Sequence, residues 1–240
     1  MYQQTCQSHV RAYIGEESYY LWRFRDNGTK QEGLLNGIKI KIDYLKQECW
    51  YFGTEYLYAV GPLKGKTGKT HPLLSTLTDQ IFEARFGYRL QQNTARSPFI
   101  TPFVGWGYFK EINNFHPPSL LTWRFTDAFN FITVGFLSGT HFSSSLTMGI
   151  DFKVRFMENA KSKITNDPLY GETVLAIGDE TLYLLEIPFT IMPSPLYKFS
   201  GQIVPLYGFR HFGEREGYPF NFKNTKFHLI GLQILLKHQF

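Results

Sequence analysis

His141 and Ser143 are two positions apart, and they are the pair of side chains best suited to covalent chemistry in this sequence. Alternate residues of a strand share a face, so the two side chains could meet. A serine needs a general base within hydrogen-bond reach to act as a nucleophile. However, the pair falls at a predicted short turn, and no acid stands where it would orient the histidine. The favoured interpretation is therefore a surface turn.

A second set of side chains could activate a water molecule. Asp127, His211, Glu214 and Glu216 are all predicted near one end of the fold, and acids and histidines can act as general bases. The sequence contains no Asp-x-Asp or Asp-x-His pair. These residues are therefore interpreted as solvated charges, and no catalytic residue is predicted.

Two further motifs have a plain structural interpretation. The segment 65–70 (GKTGKT) lacks the strand-to-helix context of a phosphate-binding loop, so it is predicted to be a flexible loop. Cys6 and Cys49 match no metal-site spacing. No metal site and no cofactor are predicted.

The composition narrows the class of protein. Of 240 residues, 43% are hydrophobic and 18% aromatic, which excludes a disordered chain. Mean hydropathy is only −0.24, and no segment approaches the roughly 18 apolar residues of a membrane-spanning helix. The net charge of +5 lies largely in candidate loops, and no nucleic-acid-binding motif is present, so no nucleic-acid partner is predicted.

Period-two alternation is the dominant pattern along the chain. In 145–157, for example, Leu146, Met148 and Ile150 alternate with Thr147, Gly149 and Asp151. Such segments have the length needed to cross a bilayer at a tilt. About ten strands are predicted, with 8 and 12 as alternatives: 9–25, 36–45, 49–61, 79–91, 98–110, 125–142, 145–157, 181–191, 196–211 and 225–240.

The connections alternate between short and long. Membrane β-barrels have short turns at the periplasmic rim and longer loops outside the cell, and an even number of strands puts both termini at the short-turn rim. One all-β domain is predicted over 1–240, a closed antiparallel up-and-down barrel with a periplasmic tail at 1–8. Long extracellular loops are predicted near 61–79, 111–124, 158–180 and 212–224.

Glycines indicate which face points outward. Most strand glycines, such as Gly53, Gly135 and Gly208, fall on the polar face, whereas Gly201 is an exception. The interior of a small barrel is crowded and favours small residues. The polar face is therefore predicted to line the lumen, and the apolar face to meet lipid. A soluble barrel holding an apolar ligand is the alternative.

The predicted lumen contains charges of both signs. Glu55 and Glu83 are expected to meet Arg85 and Arg89, and Asp151 a neighbouring base, because charges in a narrow barrel must be paired or hydrated. The predicted lumen-lining charges are Lys39, Lys41, Asp43, Glu55, Glu83, Arg85, Arg89, Asp151, Lys153, Arg155, Glu186, Lys198, Arg210 and Lys237.

The last strand carries a family resemblance. Ile230, Leu232, Ile234 and Leu236 share one face with the terminal Phe240. In this the chain resembles bacterial, Gram-negative-type outer-membrane β-barrels, small ten-strand class, although His238 departs from the apolar residue usual there. The resemblance implies that Phe240 is an assembly signal read by the barrel-assembly machinery. His141-x-Ser143 likewise resembles a pairing found in some outer-membrane lipid A deacylases.

The resemblance also implies an outer-membrane location and contact with outer-membrane lipid, including lipopolysaccharide. The chain shows no signal peptide, and we expect one to have been removed. Cys6 and Cys49 would then lie in an oxidising compartment, where they form either a disulfide or two separate thiols.

For function, the leading hypothesis is a surface barrel whose loops bind an extracellular ligand, as adhesins do, or a structural barrel. The alternatives are a narrow pore for small solutes and a rim hydrolase of the lipid A deacylase or protease type. An enzyme is the less favoured class, because the required residues are not found together.

Overall fold

The computed structural model describes residues 9–46, 49–68, 71–91, 98–120, 122–143, 145–192 and 198–240. Within these ranges every regular element is a β-strand. No helix in this part of the chain is long and apolar enough to cross a membrane. The predicted tail 1–8, including Cys6, lies outside the described residues, so the choice between a Cys6–Cys49 disulfide and two separate thiols stays open.

The strands close into one antiparallel barrel. Each pairs with its neighbours in chain order, and β1 pairs with β13 to complete the ring. Segments β4 and β5 follow one barrel strand, as do β9, β10 and β11, which gives the ten strands predicted. The segments are β1 (His9–Arg25), β2 (Lys30–Lys46), β3 (Trp50–Thr67), β4 (His71–Tyr88), β5 (Leu90–Gln91), β6 (Phe99–Phe115), β7 (Arg124–His141), β8 (Leu146–Asp167), β9 (Gly171–Ala176), β10 (Thr181–Glu186), β11 (Phe189–Ile191), β12 (Phe199–Phe212) and β13 (Thr225–Gln239).

Several strands continue well into segments predicted as loops. The predicted loop 61–79 is mostly strand, since β3 runs to Thr67 and β4 begins at His71. The predicted loops 111–124 and 158–180 are also partly strand, and 212–224 alone is bounded as predicted. Above the apolar band the outward positions become polar, as at Lys64 and Lys66, while backbone pairing continues. The expectation was wrong because it used apolar alternation to end each strand.

The polar face of the strands lines the lumen and the apolar face points outward, as the glycine positions indicated. Outward positions of β2 and β3 expose Ile38, Ile40 and Tyr56, whereas Gly107 points into a filled interior, where a Cβ would overlap the Phe131 ring. Gly201 faces outward and has open space around it. The crowded, mixed-polarity interior and the apolar exterior are the arrangement expected of a barrel in lipid.

Two irregularities of the sequence pattern have local explanations. Phe125 and Phe131 of β7 point into the barrel, whereas Ile132 points outward, so the apolar face of this strand changes because its first half contributes aromatic rings to the core. The β-bulge between β7 and β8 lies in β8, where Asn159 adopts a positive φ of 55°. Bulges place an extra residue on one strand, and asparagine tolerates this backbone region. In β1, Glu16 and Ser18 interrupt the apolar outer face, and Ser18 Oγ lies 3.0 Å from Glu16 Oε1 and 2.8 Å from Asn36 Oδ1.

Candidate functional site

The interior of the barrel is divided into layers, and the first is an open cavity at the rim that holds the chain ends. Its volume is about 270 Å³. Five cationic side chains line it: Arg11, Lys39, Lys41, Arg89 and Lys237. Apolar and aromatic groups from several strands complete its walls.

Some of these cations have partners inside the cavity. Lys41 Nζ lies 3.4 Å from Asp43 Oδ2, and the Tyr51 hydroxyl donates a 2.8 Å hydrogen bond to Asp43 Oδ1. The Arg89 guanidinium lies 3.8 Å from the centroid of the Phe99 ring. The cavity therefore combines ion-pairing groups with aromatic surfaces.

A buried network of ion pairs lies above the cavity. Glu55 is its hub, since its carboxylate contacts Arg85 as well as Lys153 at 3.0 Å and Arg155 at 3.0 Å. Lys153 is fully buried and also pairs with Glu186 at 3.1 Å. Neighbouring β strands contribute alternate inward positions, so charges from opposite walls meet in the lumen. The network comprises Glu17, Lys39, Glu55, Glu83, Arg85, Asp151, Lys153, Arg155 and Glu186.

An apolar layer fills the barrel above this network. Phe109 stacks on Phe129 with ring centroids 4.7 Å apart, and Phe212 meets Phe129 edge-on at 5.7 Å. These rings belong to one buried cluster that draws residues from strands all around the barrel. These close-packed side chains narrow the lumen to a small void of about 40 Å³, which is lined by Leu57, Leu206 and Arg210 among others.

A second group of buried charges lies toward the long-loop end of the barrel. Arg210 Nη1 lies 2.7 Å from Asp79 Oδ2, and the Tyr19 hydroxyl donates to the same oxygen at 2.5 Å. Arg23 lies 3.4 Å from Glu111 and 3.9 Å from Asp127. Five strands are cross-linked by these side chains.

Aromatic side chains from three connections meet at the long-loop end of the barrel. Trp123 precedes β7, Tyr170 lies between β8 and β9, and Phe220 lies between β12 and β13. The Phe220 ring is 5.5 Å from Trp123 and 5.3 Å from Tyr170. Trp123 and Phe220 also pack on a small buried cluster that includes Phe125, which anchors them. We call Trp123, Tyr170 and Phe220 the aromatic patch.

A recess of about 110 Å³ opens beside this patch. Arg25 lies over the Phe125 ring at 5.7 Å, and Asn113 Oδ1 is buried without a hydrogen-bond partner among the described residues. The recess thus offers a cation, aromatic surface and an unused acceptor. Its polar lining residues are Arg23, Arg25, Asn27, Thr29, Gln31, Thr67 and Asn113.

Most of the charges predicted to line the lumen lie inside the barrel. The structure brings Arg85 to Glu55 and Glu83, and it places Arg155 of β8 beside both acids, where Arg89 had been expected. Lys198 is exposed at the rim just before β12 and does not line the lumen. The inward residues are Lys39, Lys41, Asp43, Glu55, Glu83, Arg85, Arg89, Asp151, Lys153, Arg155, Glu186, Arg210 and Lys237.

The catalytic candidates are not assembled into a site. The Ser143 hydroxyl accepts hydrogen bonds from the backbone N–H groups of Ser145 and Leu146, as expected in a turn. His141 Nδ1 lies 3.0 Å from Thr147 Oγ1.

Phe240, the predicted assembly signal, lies beside the barrel seam, where its backbone N–H donates to the Val10 carbonyl at 2.9 Å.

The rim acids and histidine are also dispersed. Asp127 is buried with Arg23, whereas His211 faces outward and contacts Asn224 and Glu180. Glu214 pairs with Lys223 on the surface, and Glu216 is exposed. Within the 65–70 motif, Thr67 ends β3 and its hydroxyl contacts that of Thr29 at 2.9 Å, while 69–70 lie outside the described residues.

Several interior charges were missed by the sequence analysis. Asp79 and Glu111 fell in segments predicted as loops, and Glu17 and Arg23 fell in a strand whose outer face is interrupted. Continuing the period-two alternation past the apolar band into the polar ends of the strands would have placed Asp79 and Glu111 on the inner face. The missed residues are Arg11, Glu17, Arg23, Asp79 and Glu111.

The fold is similar to that of solved membrane barrels. The outer membrane protease OmpT from Escherichia coli matches with a TM-score of 0.66 at 9% identity, covering 100% of this chain and 99% of that chain. The translocator domain of the autotransporter NalP from Neisseria meningitidis matches with a TM-score of 0.53 at 8% identity, covering 99% of this chain and 90% of that chain. No protein-family model and no curated protein sequence matches this chain.

At such low identity the likeness concerns the fold. The predicted fold class, a closed ten-strand antiparallel barrel of the bacterial outer-membrane type, is confirmed. Its apolar outer surface and closed ring of strands are those of a barrel that spans a membrane.

Proposed function

We propose that this protein is a sealed outer-membrane barrel that binds an extracellular glycan at the aromatic patch and the adjoining recess. The observation that carries the proposal is the meeting of Trp123, Tyr170 and Phe220 from three separate connections at one end of the barrel. Tyr170 is exposed and the other two rings are half-buried, and apolar patches that reach the surface in this way mark interaction sites.

The exposure of the surrounding side chains supports the same proposal. Tyr218 is 86% exposed and Leu169 is 84% exposed, both in connections that contribute to the patch. Large apolar groups held in water are unfavourable unless a partner covers them. Tyrosine and tryptophan also supply rigid contact area at a low cost in conformational entropy.

The recess provides the polar half of such a site. Specific ligands are oriented by a few polar groups set among apolar walls. Asn113 Oδ1 can accept a hydrogen bond from a hydroxyl, and Asn27 and Thr29 line the same space. Aromatic rings beside hydroxyl-binding groups suit a sugar ring, and Arg25 favours a sugar that carries an acidic group.

The sealed lumen favours binding over transport. The apolar layer around Phe109, Phe129 and Phe212 separates the two charged regions of the interior. Both regions are themselves cross-linked by buried ion pairs, such as Glu55 with Lys153. A solute would have to displace packed rings and break these pairs, so a pore is the less favoured function.

Glycan-array binding of the barrel in nanodiscs tests the proposal. We expect retention of a subset of neutral or acidic oligosaccharides, and about tenfold or greater weakening in Trp123→Ala, the scale of a central contact residue. Trp50→Ala is the matched control, because it removes an exposed tryptophan near the opposite rim. Failure to retain any glycan, or equal retention by Trp123→Ala and the wild type, would contradict the proposal.

A further inference from the structure

The cavity at the periplasmic rim contains more positive charge than its own acids neutralise. Five cationic side chains line its walls, those of Arg11, Lys39, Lys41, Arg89 and Lys237, against four carboxylates, those of Asp43, Glu55, Asp151 and Glu186. Asp43 is already engaged by Lys41 at 3.4 Å and by the Tyr51 hydroxyl at 2.8 Å. The deeper acids, such as Glu186, belong to the central network.

Arg11 and Lys237 are the two cations left over. They lie on the paired strands β1 and β13, where Tyr13 is opposite Lys237 and Arg11 is opposite Gln239, so they are diagonal neighbours. Neither forms an ion pair within the described part of the chain, and Arg11 Nε is buried without a hydrogen-bond partner there. Burying like charges together is costly unless a counter-ion joins them.

The walls next to these cations are apolar. Tyr13, Val204 and Leu235 form a buried cluster that lines the same cavity. With a volume of about 270 Å³, the cavity is close to the lower end of the range for small-molecule sites. A ligand that fits both features carries one anionic group and a compact apolar body.

We propose that the periplasmic cavity binds a small amphiphilic anion, with its carboxylate or phosphate between Arg11 and Lys237 and its apolar part against Tyr13, Val204 and Leu235. Arginine supplies planar, charge-assisted hydrogen bonds to such groups, and lysine adds a point charge. This inference is independent of extracellular binding, because the sealed lumen separates the two sites.

Calorimetric titration of the purified full-length barrel in a nonionic detergent tests the inference. The probes are benzoate, inorganic phosphate and benzyl alcohol, a neutral compound with the same ring as benzoate. We expect saturable benzoate binding and no saturation with benzyl alcohol. Weaker binding of phosphate than of benzoate indicates an amphiphilic ligand, whereas equal or tighter binding of phosphate overturns the amphiphilic part of the proposal.

Charge-removal variants test the placement of the anionic group. Arg11→Gln and Lys237→Gln should each weaken benzoate binding about tenfold, while Lys198→Gln, the same change at an exposed position near this rim, should leave it unchanged. Heat-dependent gel mobility checks that each variant is folded. Absence of saturable binding of either anion, or binding unaffected by both cavity variants, overturns the proposal.

Discussion

Lys153 and Glu55 meet across the lumen, with Lys153 Nζ 3.0 Å from Glu55 Oε1 and 3.1 Å from Oε2. They belong to β8 and β3, which are not neighbours in the barrel. Both side chains are almost completely buried. The pair therefore connects two distant walls of the barrel. Its hydrogen bonds offset the free-energy cost of burying two charged groups away from water.

Removing Lys153 should strongly destabilise the barrel. In Lys153→Met, Glu55 and Glu186 would lose a buried cation, and breaking a buried ion pair in this way costs about 3–5 kcal/mol. The free energy of unfolding in urea, followed by heat-dependent gel mobility, measures the loss. Lys163→Met is the control, because Lys163 pairs with Glu172 on the surface, where a pair contributes about 0–1 kcal/mol. Equal losses in the two variants would mean that the interior is hydrated.

A methyl group at Gly107 should not fit. The Cβ of Gly107→Ala would overlap the Phe131 ring in the apolar layer, and overpacking typically costs about 1–3 kcal/mol. Gly201→Ala adds the same group to the open outer face and should change stability by less than about 0.5 kcal/mol. Urea unfolding of both variants in one detergent measures the difference. The assignment of inner and outer faces would be wrong if Gly201→Ala were the more damaging change.

Replacing Glu16 should stabilise the barrel in lipid. Its carboxylate points outward from the middle of β1, between Ile38 of β2 and Ile234 of β13. Glu16→Leu should gain on the order of 1–2 kcal/mol, less than the roughly 2–4 kcal/mol cost of Arg or Lys at the bilayer midplane. Glu32→Leu is the control, since Glu32 faces outward nearer the long-loop rim, opposite Lys64. Refolding into vesicles measures both, and a loss of stability in Glu16→Leu would mean that the hydrogen bond from Ser18 outweighs the cost of a carboxylate facing lipid.

The strand positions within the apolar band were predictable from the sequence. Alternation such as Ile38, Ile40 and Ile42 against Lys39 and Lys41 is set by the two-residue period of a strand, so face and approximate register follow directly. Glycine positions then separated the inside from the outside, because small residues fit where side chains crowd.

The site itself was not predictable in the same way. Trp123, Tyr170 and Phe220 are far apart in the chain and come together only because the barrel brings three connections to one end. The ion pairs across the lumen, such as Arg155 with Glu83, depend on strand tilt and side-chain reach as well as on pairing order. The alternation of apolar and polar residues does not give the distances between these rings or between these charged groups.

Ion conductance across a planar bilayer tests most directly the central claim that the lumen is sealed and that binding occurs at the ends of the barrel. The purified wild-type protein should give no steady current, because the apolar layer around Phe109, Phe129 and Phe212 and the buried ion pairs leave only a small void in the lumen. Reproducible stepwise openings of the wild type would contradict the claim and would make the barrel a pore.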